Sequence, residues 1–168
     1  MRSISEAGPI IKVGMAQYRV GIAPMKMITM ALGSCVGIVL YDEKAGLGGL
    51  AHVMHPSRNK VKNNMNRAKF VDTAIELMVA KILKEGARKE RLKAKIFGGA
   101  RMFQHITGSH GVIQIGDANV AATREQLAKR GIPIVAENVG GTMGRTIMFD
   151  VSDGSVHMKD SLNNEEIF

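Results

Sequence analysis

The chain of 168 residues holds one cysteine and no tryptophan, and only 4% of its residues are aromatic. A single cysteine closes no internal disulfide, so the fold rests on a packed core. The scarcity of aromatic rings leaves few platforms on which single-stranded nucleic acid could stack. No apolar run approaches transmembrane length, and the opening residues Met1-Arg2-Ser3-Ile4-Ser5-Glu6 form no apolar signal segment. These absences lead to the expectation of a cytoplasmic protein, without membrane insertion, in which a thiol stays reduced. What remains is a 45% hydrophobic chain, enough to exclude disorder and to fill one domain over 1–168, with termini free to move.

The formal charge is +8. Nucleic-acid binding is one class that such a charge allows, but the basic stretch 81–95 also carries Glu85 and Glu90 and reads as a solvated face. No helix-turn-helix or zinc module accompanies it. Attraction to an acidic protein surface accounts for the charge equally well. A second basic stretch, 56–69, carries Arg58, Lys60, Lys62, Arg67 and Lys69 with no acidic residue. It reads either as a rim that steers an acidic partner, with Arg58, Lys60 and Lys62 as candidate substrate-binding residues, or as a solvated loop.

Periodicity places strands first and alternating helices and strands afterwards. Strands are expected near 10–13, 17–21, 25–30, 36–41, 47–54, 92–97, 134–137, 146–150 and 155–159. A long helix is expected from about Asn66, because Val71, Ile75, Met78 and Ile82 recur at helical spacing before Gly86. A second is expected to be capped by Asp117 and to end near Gly131. This order predicts a single-domain α+β sandwich of mixed strands with flanking helices.

Chemistry concentrates around Cys35. The run Thr29-Met30-Ala31-Leu32-Gly33-Ser34-Cys35 leads from a strand through a glycine turn into the apolar run 36–41, and His52 lies in the next strand. A thiol becomes a useful nucleophile when an imidazole takes its proton and a third group orients that imidazole. Cys35, His52 and Thr29 can supply the three parts, although Thr29 also suits an ordinary strand position. Gly33 and Ser34 stand at the turn, where backbone N–H groups not yet committed to a sheet can form an oxyanion hole. A hairpin turn centred between Glu43 and Lys44 is expected to set Cys35 directly opposite His52. The other histidines lack companions: His55 is expected to face away from His52, and His105 and His110 read as loop residues rather than metal ligands.

Several blocks in order, Thr29-x-x-Leu32-Gly33-Ser34-Cys35-Val36-Gly37, then Gly49-x-Ala51-His52-Val53-Met54-x-Pro56, then Ile96-Phe97-Gly98-Gly99-Ala100-x-Met102-Phe103, resemble the CheD family of chemoreceptor glutamine deamidases. The likeness runs from Tyr18 to Met148 and includes Ile115-Gly116-x-x-Asn119 and 137–141. It implies a Cys-His-Thr site on Cys35, His52 and Thr29 that hydrolyses selected receptor glutamines, without a metal or organic cofactor. It implies a layered fold shared with the catalytic domain of cytotoxic necrotizing factor, and two partners: receptor cytoplasmic helices and a CheC-type phosphatase. Glutamyl methyl esters present the same carbonyl with a better leaving group. A non-catalytic chemotaxis adaptor is the competing class, ahead of a nucleic-acid binder. One departure is Met30-Ala31, where the resemblance leads to Leu-Gly. Met102 and Phe103 follow two glycines after a strand, and either fold into the core or present an apolar pair to a CheC-type partner.

Overall fold

The apolar run beginning at Val36 organises the molecule. The computed structural model describes residues 7–60, 62, 65–102 and 114–168. In it β4 (Val36–Asp42) is buried at all seven positions. Its alternate side chains go to two cores: Val36, Ile38 and Leu40 pack with Ile75, Met78 and Leu127, while Val39 and Tyr41 pack with Met27, Ile147 and Phe149. A strand covered on both faces shows no polar alternation, which is why it reads as a continuous apolar run.

The strand lies at the centre of a sheet ordered β2 (Gln17–Ile22), β5 (Leu47–Val53), β4, β6 (Lys93–Gly98) and β7 (Ile134–Val139). A second sheet is ordered β1 (Ile10–Lys12), β3 (Lys26–Leu32), β8 (Arg145–Asp150), β9 (Val156–Asp160) and β10 (Glu165–Ile167). The sheets face each other across one core, and α1 (Val71–Lys84) and α2 (Ile115–Lys129) cover the far side of the first sheet across the other. Pairs β1/β3 and β6/β7 are parallel and the rest antiparallel. This is the expected α+β sandwich of mixed strands. Close approach of the sheets depends on Gly48, since a Cβ there would stand 2.6 Å from the Phe149 ring.

Three expectations need correction. The helix expected from Asn66 begins at Val71, because Asn66 caps only a 3-10 turn, Arg67–Lys69, and Phe70 is extended at φ −111 and ψ 140. Phe70 is drawn out of helical geometry by a parallel bridge to His55, whose ring lies 6.0 Å from its own. In α2, Gln114 precedes the helix, so Asp117 lies inside the first turn and pairs with Arg101 at 2.7 Å instead of capping. The hairpin register also differs. The turn holds residues 43–46, and Asp42 pairs with Leu47, so His52 stands opposite Gly37 rather than Cys35. Asp42 fixes this, because its carboxylate accepts the Ala45 N–H at 3.1 Å and holds Asp42 as the last residue of the strand. Gly46, at φ +63, then closes the turn with an N–H donated to the Glu43 carbonyl.

Candidate active site

A two-residue shift of register preserves the parity of the strand. His52 therefore points the same way as Leu50, towards the second sheet, and Cys35 packs against that same inter-sheet core from the bend just before β4. The two side chains are diagonal neighbours across the open end of the β4–β5 hairpin.

Thr29 reaches the site from the opposite sheet. In β3 a bulge lies between Thr29, paired with Ile147, and Leu32, paired with Arg145. In a regular strand residues three apart face opposite ways. The extra residue turns both Thr29 and Leu32 inward, each 0% exposed. Ala31 absorbs the bulge at φ +58, a left-handed conformation that costs an L-residue other than glycine. The glycine that the resemblance leads to at this position has a backbone reason.

The Thr29 hydroxyl donates to the Val13 carbonyl at 2.7 Å and lies 2.7 Å from His52 Nδ1. A hydroxyl has one proton, and that proton is committed to Val13. Thr29 therefore accepts from His52, which places the imidazole proton on Nδ1 and leaves Nε2 with a free lone pair. Nε2 is buried and has no hydrogen-bond partner among the described residues. Burial lowers the His52 pKa to about 4, so the ring is neutral at physiological pH. Burial also pushes the Cys35 thiol up, partly opposed by the nearby backbone N–H of the same residue. At rest both groups are thus uncharged, a thiol and a neutral imidazole, and the Cys35 sulfur does not hydrogen-bond the bare Nε2.

The loop that carries the thiol is held by its carbonyls. Gly33 accepts from Ala100 N–H and Cys35 from Gly99 N–H, each at 2.8 Å. This clamp requires glycine: a Cβ on Gly98, at φ +101, would stand 2.3 Å from the Cys35 carbonyl oxygen, and one on Gly99 would stand 2.3 Å from Val120. Asn119, fully buried on α2, donates to the carbonyls of Ser34 at 2.9 Å and Met54 at 3.0 Å. Sequence reasoning missed Asn119 as part of the site, although its block was visible. The N–H groups of Ser34 and Cys35 meet no carbonyl among the described residues.

The other candidates are dispersed. Arg58 lies in a 3-10 turn, Arg58–Lys60, just beyond the histidine strand, with its backbone N–H on the Asp72 carboxylate at 3.2 Å. Lys60 belongs to the same turn, and Lys62 is exposed. Met102 is 49% exposed and lies against Gly33, where it would be 3.2 Å from an added Cβ. Phe103, His105 and His110 lie outside the described residues. A groove of about 530 Å³ borders the cysteine loop at Gly33 and is lined by Met30, Met102, Lys159 and Asp160.

The fold and site define an α+β protein in which a cysteine just before a central strand and a histidine on the neighbouring strand border the core between the sheets, where a threonine of the opposite sheet meets the histidine. The chain belongs to the CheD family: the family model described as CheD chemotactic sensory transduction matches residues 54–160. A protein of Caldanaerobacter subterraneus subsp. tengcongensis named probable chemoreceptor glutamine deamidase CheD is 50% identical over 89% of this chain and 92% of its own length. Proteins of the same name from Moorella thermoacetica and Syntrophomonas wolfei are 47% and 44% identical, over 87% and 94% of this chain and 87% and 98% of their own. A Neisseria meningitidis protein of the DUF152 family has a partly similar structure, at a TM-score of 0.48 and 11% identity, with the match covering 80% of this chain and 63% of that protein.

Proposed function

We propose that this chain is a cysteine amidohydrolase that converts selected glutamine side chains of chemotaxis receptors to glutamate, with Cys35 as nucleophile, His52 as proton carrier and Thr29 as the group that orients it. The single observation that carries this reading is the bare, buried Nε2 of His52, held in one tautomer by Thr29 at the edge where the only thiol of the chain emerges. A histidine buried for packing alone is normally satisfied at both nitrogens.

The reaction follows from the protonation states. As the Cys35 sulfur attacks the carboxamide carbon, Nε2 takes its proton, and the uncommitted N–H groups of Ser34 and Cys35 face the developing oxyanion. The imidazolium then gives that proton to the amide nitrogen, ammonia departs and a thioester remains. Water attacks the thioester, its proton passes to Nε2 and then to the leaving sulfur, and glutamate and the free thiol are restored. A glutamyl methyl ester enters by the same path and releases methanol. In this reading the groove beside Gly33 takes the turns of receptor helix flanking the target, and Arg58, Lys60 and Lys62 draw that acidic helix in. Met102, with Phe103, serves a CheC-type phosphatase that competes for the same edge.

The test is mass-spectrometric mapping of receptor cytoplasmic domains after incubation with the protein. Site-selective conversion of glutamine to glutamate by the wild type, absent with a folded Cys35→Ala variant, is expected. Conversion by Cys35→Ala at the wild-type rate would remove the cysteine mechanism, and receptor binding without conversion by either would leave an adaptor.

A further inference from the structure

Among buried polar side chains outside the thiol, imidazole and hydroxyl, Asn119 stands apart. Its amide makes two hydrogen bonds, both from Nδ2 and both to backbone carbonyls of the elements that carry the chemistry: Ser34, next to the nucleophile, and Met54, two residues beyond His52. Two facing carbonyl oxygens fix which end of the amide is nitrogen. Its Oδ1 is buried without a partner among the described residues. A helix residue kept for packing alone gains nothing by burying an unsatisfied acceptor, and an apolar side chain of equal size would serve better.

We propose that Asn119 is a positioning residue: by gripping the Ser34 carbonyl it aims the Cys35 N–H at the reacting carbonyl oxygen, and by gripping the Met54 carbonyl it locks that loop to the histidine strand. The geometry of the peptide unit makes the first part follow. In a trans peptide the C=O and N–H point in opposite directions, so a Ser34 carbonyl turned towards α2 turns the Cys35 N–H away from it. That N–H and the sulfur belong to one residue, so on the deamidase reading it stands next to the atom that attacks and the oxyanion that forms. The carbonyls on either side, Gly33 and Cys35, are held by Ala100 and Gly99, so without Asn119 the Ser34–Cys35 unit is the one free to rotate. The two anchors of Asn119 also span the open end of the β4–β5 hairpin, the end without a turn to close it.

This inference rests on the deamidase reading for its kinetic arm, and a second arm is independent of substrate. In Asn119→Ala, kcat for receptor deamidation is expected to fall about 10²-fold with KM nearly unchanged, the cost of misplacing a donor. Alkylation of Cys35 by iodoacetamide across a pH series is expected to shift to higher pH, since the N–H that favours the thiolate is no longer held. Asn119→Asp keeps the shape but sets a carboxylate against two carbonyls, and it is expected to show both effects at least as strongly. A wild type that deamidates nothing, with the alkylation shift still present in both variants, removes the substrate reading and keeps the positioning role. Wild-type kcat, or an unshifted alkylation profile in either variant, overturns the role. Loss of activity that only tracks loss of melting temperature, with unshifted alkylation of the folded fraction, likewise reduces Asn119 to packing.

Discussion

The two ends of the β4–β5 hairpin each bury an ionisable side chain, and they treat it in opposite ways. At the turn, Asp42 is surrounded by donors: the Ala45 and Arg88 N–H groups and the Arg91 guanidinium all reach its carboxylate. Burial pushes its pKa up, but the hydrogen bonds from Arg91, Arg88 and Ala45 outweigh it and bring the value to about 2. At the open end, His52 has a partner on Nδ1 alone, and burial without a counter-charge lowers its pKa to about 4. The saturated group is a clasp that fixes register; the group left with a bare lone pair is free to accept a proton. Satisfaction of hydrogen-bonding capacity thus separates the polar group at the turn from the one we propose to be reactive on a single hairpin.

The sharpest way to break this contrast is at His52. His52→Gln is expected to reduce receptor deamidation by at least about 10³-fold, read by mass spectrometry, because both proton transfers lose their carrier. A smaller loss would mean that another base serves the thiol. Acid should expose the same residue through stability. The unfolded chain binds a proton on His52 near its ordinary value of 6.5, whereas the folded chain resists until about 4. Between those values the unfolded state binds more protons, so stability falls as pH falls. Wild type is therefore expected to lose about 3 kcal/mol relative to His52→Gln between those limits, by denaturant titration at each pH. Parallel stability curves would show that His52 is not desolvated.

Asp42 should answer the other way. Asp42→Asn removes the charge that Arg91 and two backbone donors converge on, and is expected to cost about 2 kcal/mol of stability with kcat per folded molecule unchanged. A fall in kcat without a fall in stability would make the turn end part of the site. The smallest effect is expected at the bulge that turns Thr29 inward. Ala31→Gly relieves the left-handed strain and adds freedom to the unfolded chain, for a net gain of about 0.5 kcal/mol in a melting scan. Destabilisation there would show that the alanine methyl packs usefully.

The hairpin, its polar turn and the pairing of a thiol strand with a histidine strand were legible because apolar runs and turn residues are local signals. Register was legible only to parity, since it depends on which residue the Asp42 carboxylate grips. The bulge at Ala31 was not legible as structure, because it changes which face Thr29 presents without changing the composition of the strand. The start of α1 was displaced by a long-range bridge between Phe70 and His55. Asn119 was visible in its block but not as part of the site: its partners lie 85 and 65 residues away, and no local pattern marks a helical asparagine as bound to them. β10 offered no alternation to read, since all three of its residues are exposed.

The proposed chemistry turns on the protonation of one ring, which NMR shifts of the His52 ring nitrogens measure directly across a titration from about pH 8 downward. The expected result is a neutral ring protonated on Nδ1 and bare on Nε2, converting to imidazolium with a midpoint near 4. A proton on Nε2 at neutral pH, or a midpoint at the ordinary 6.5, would contradict it.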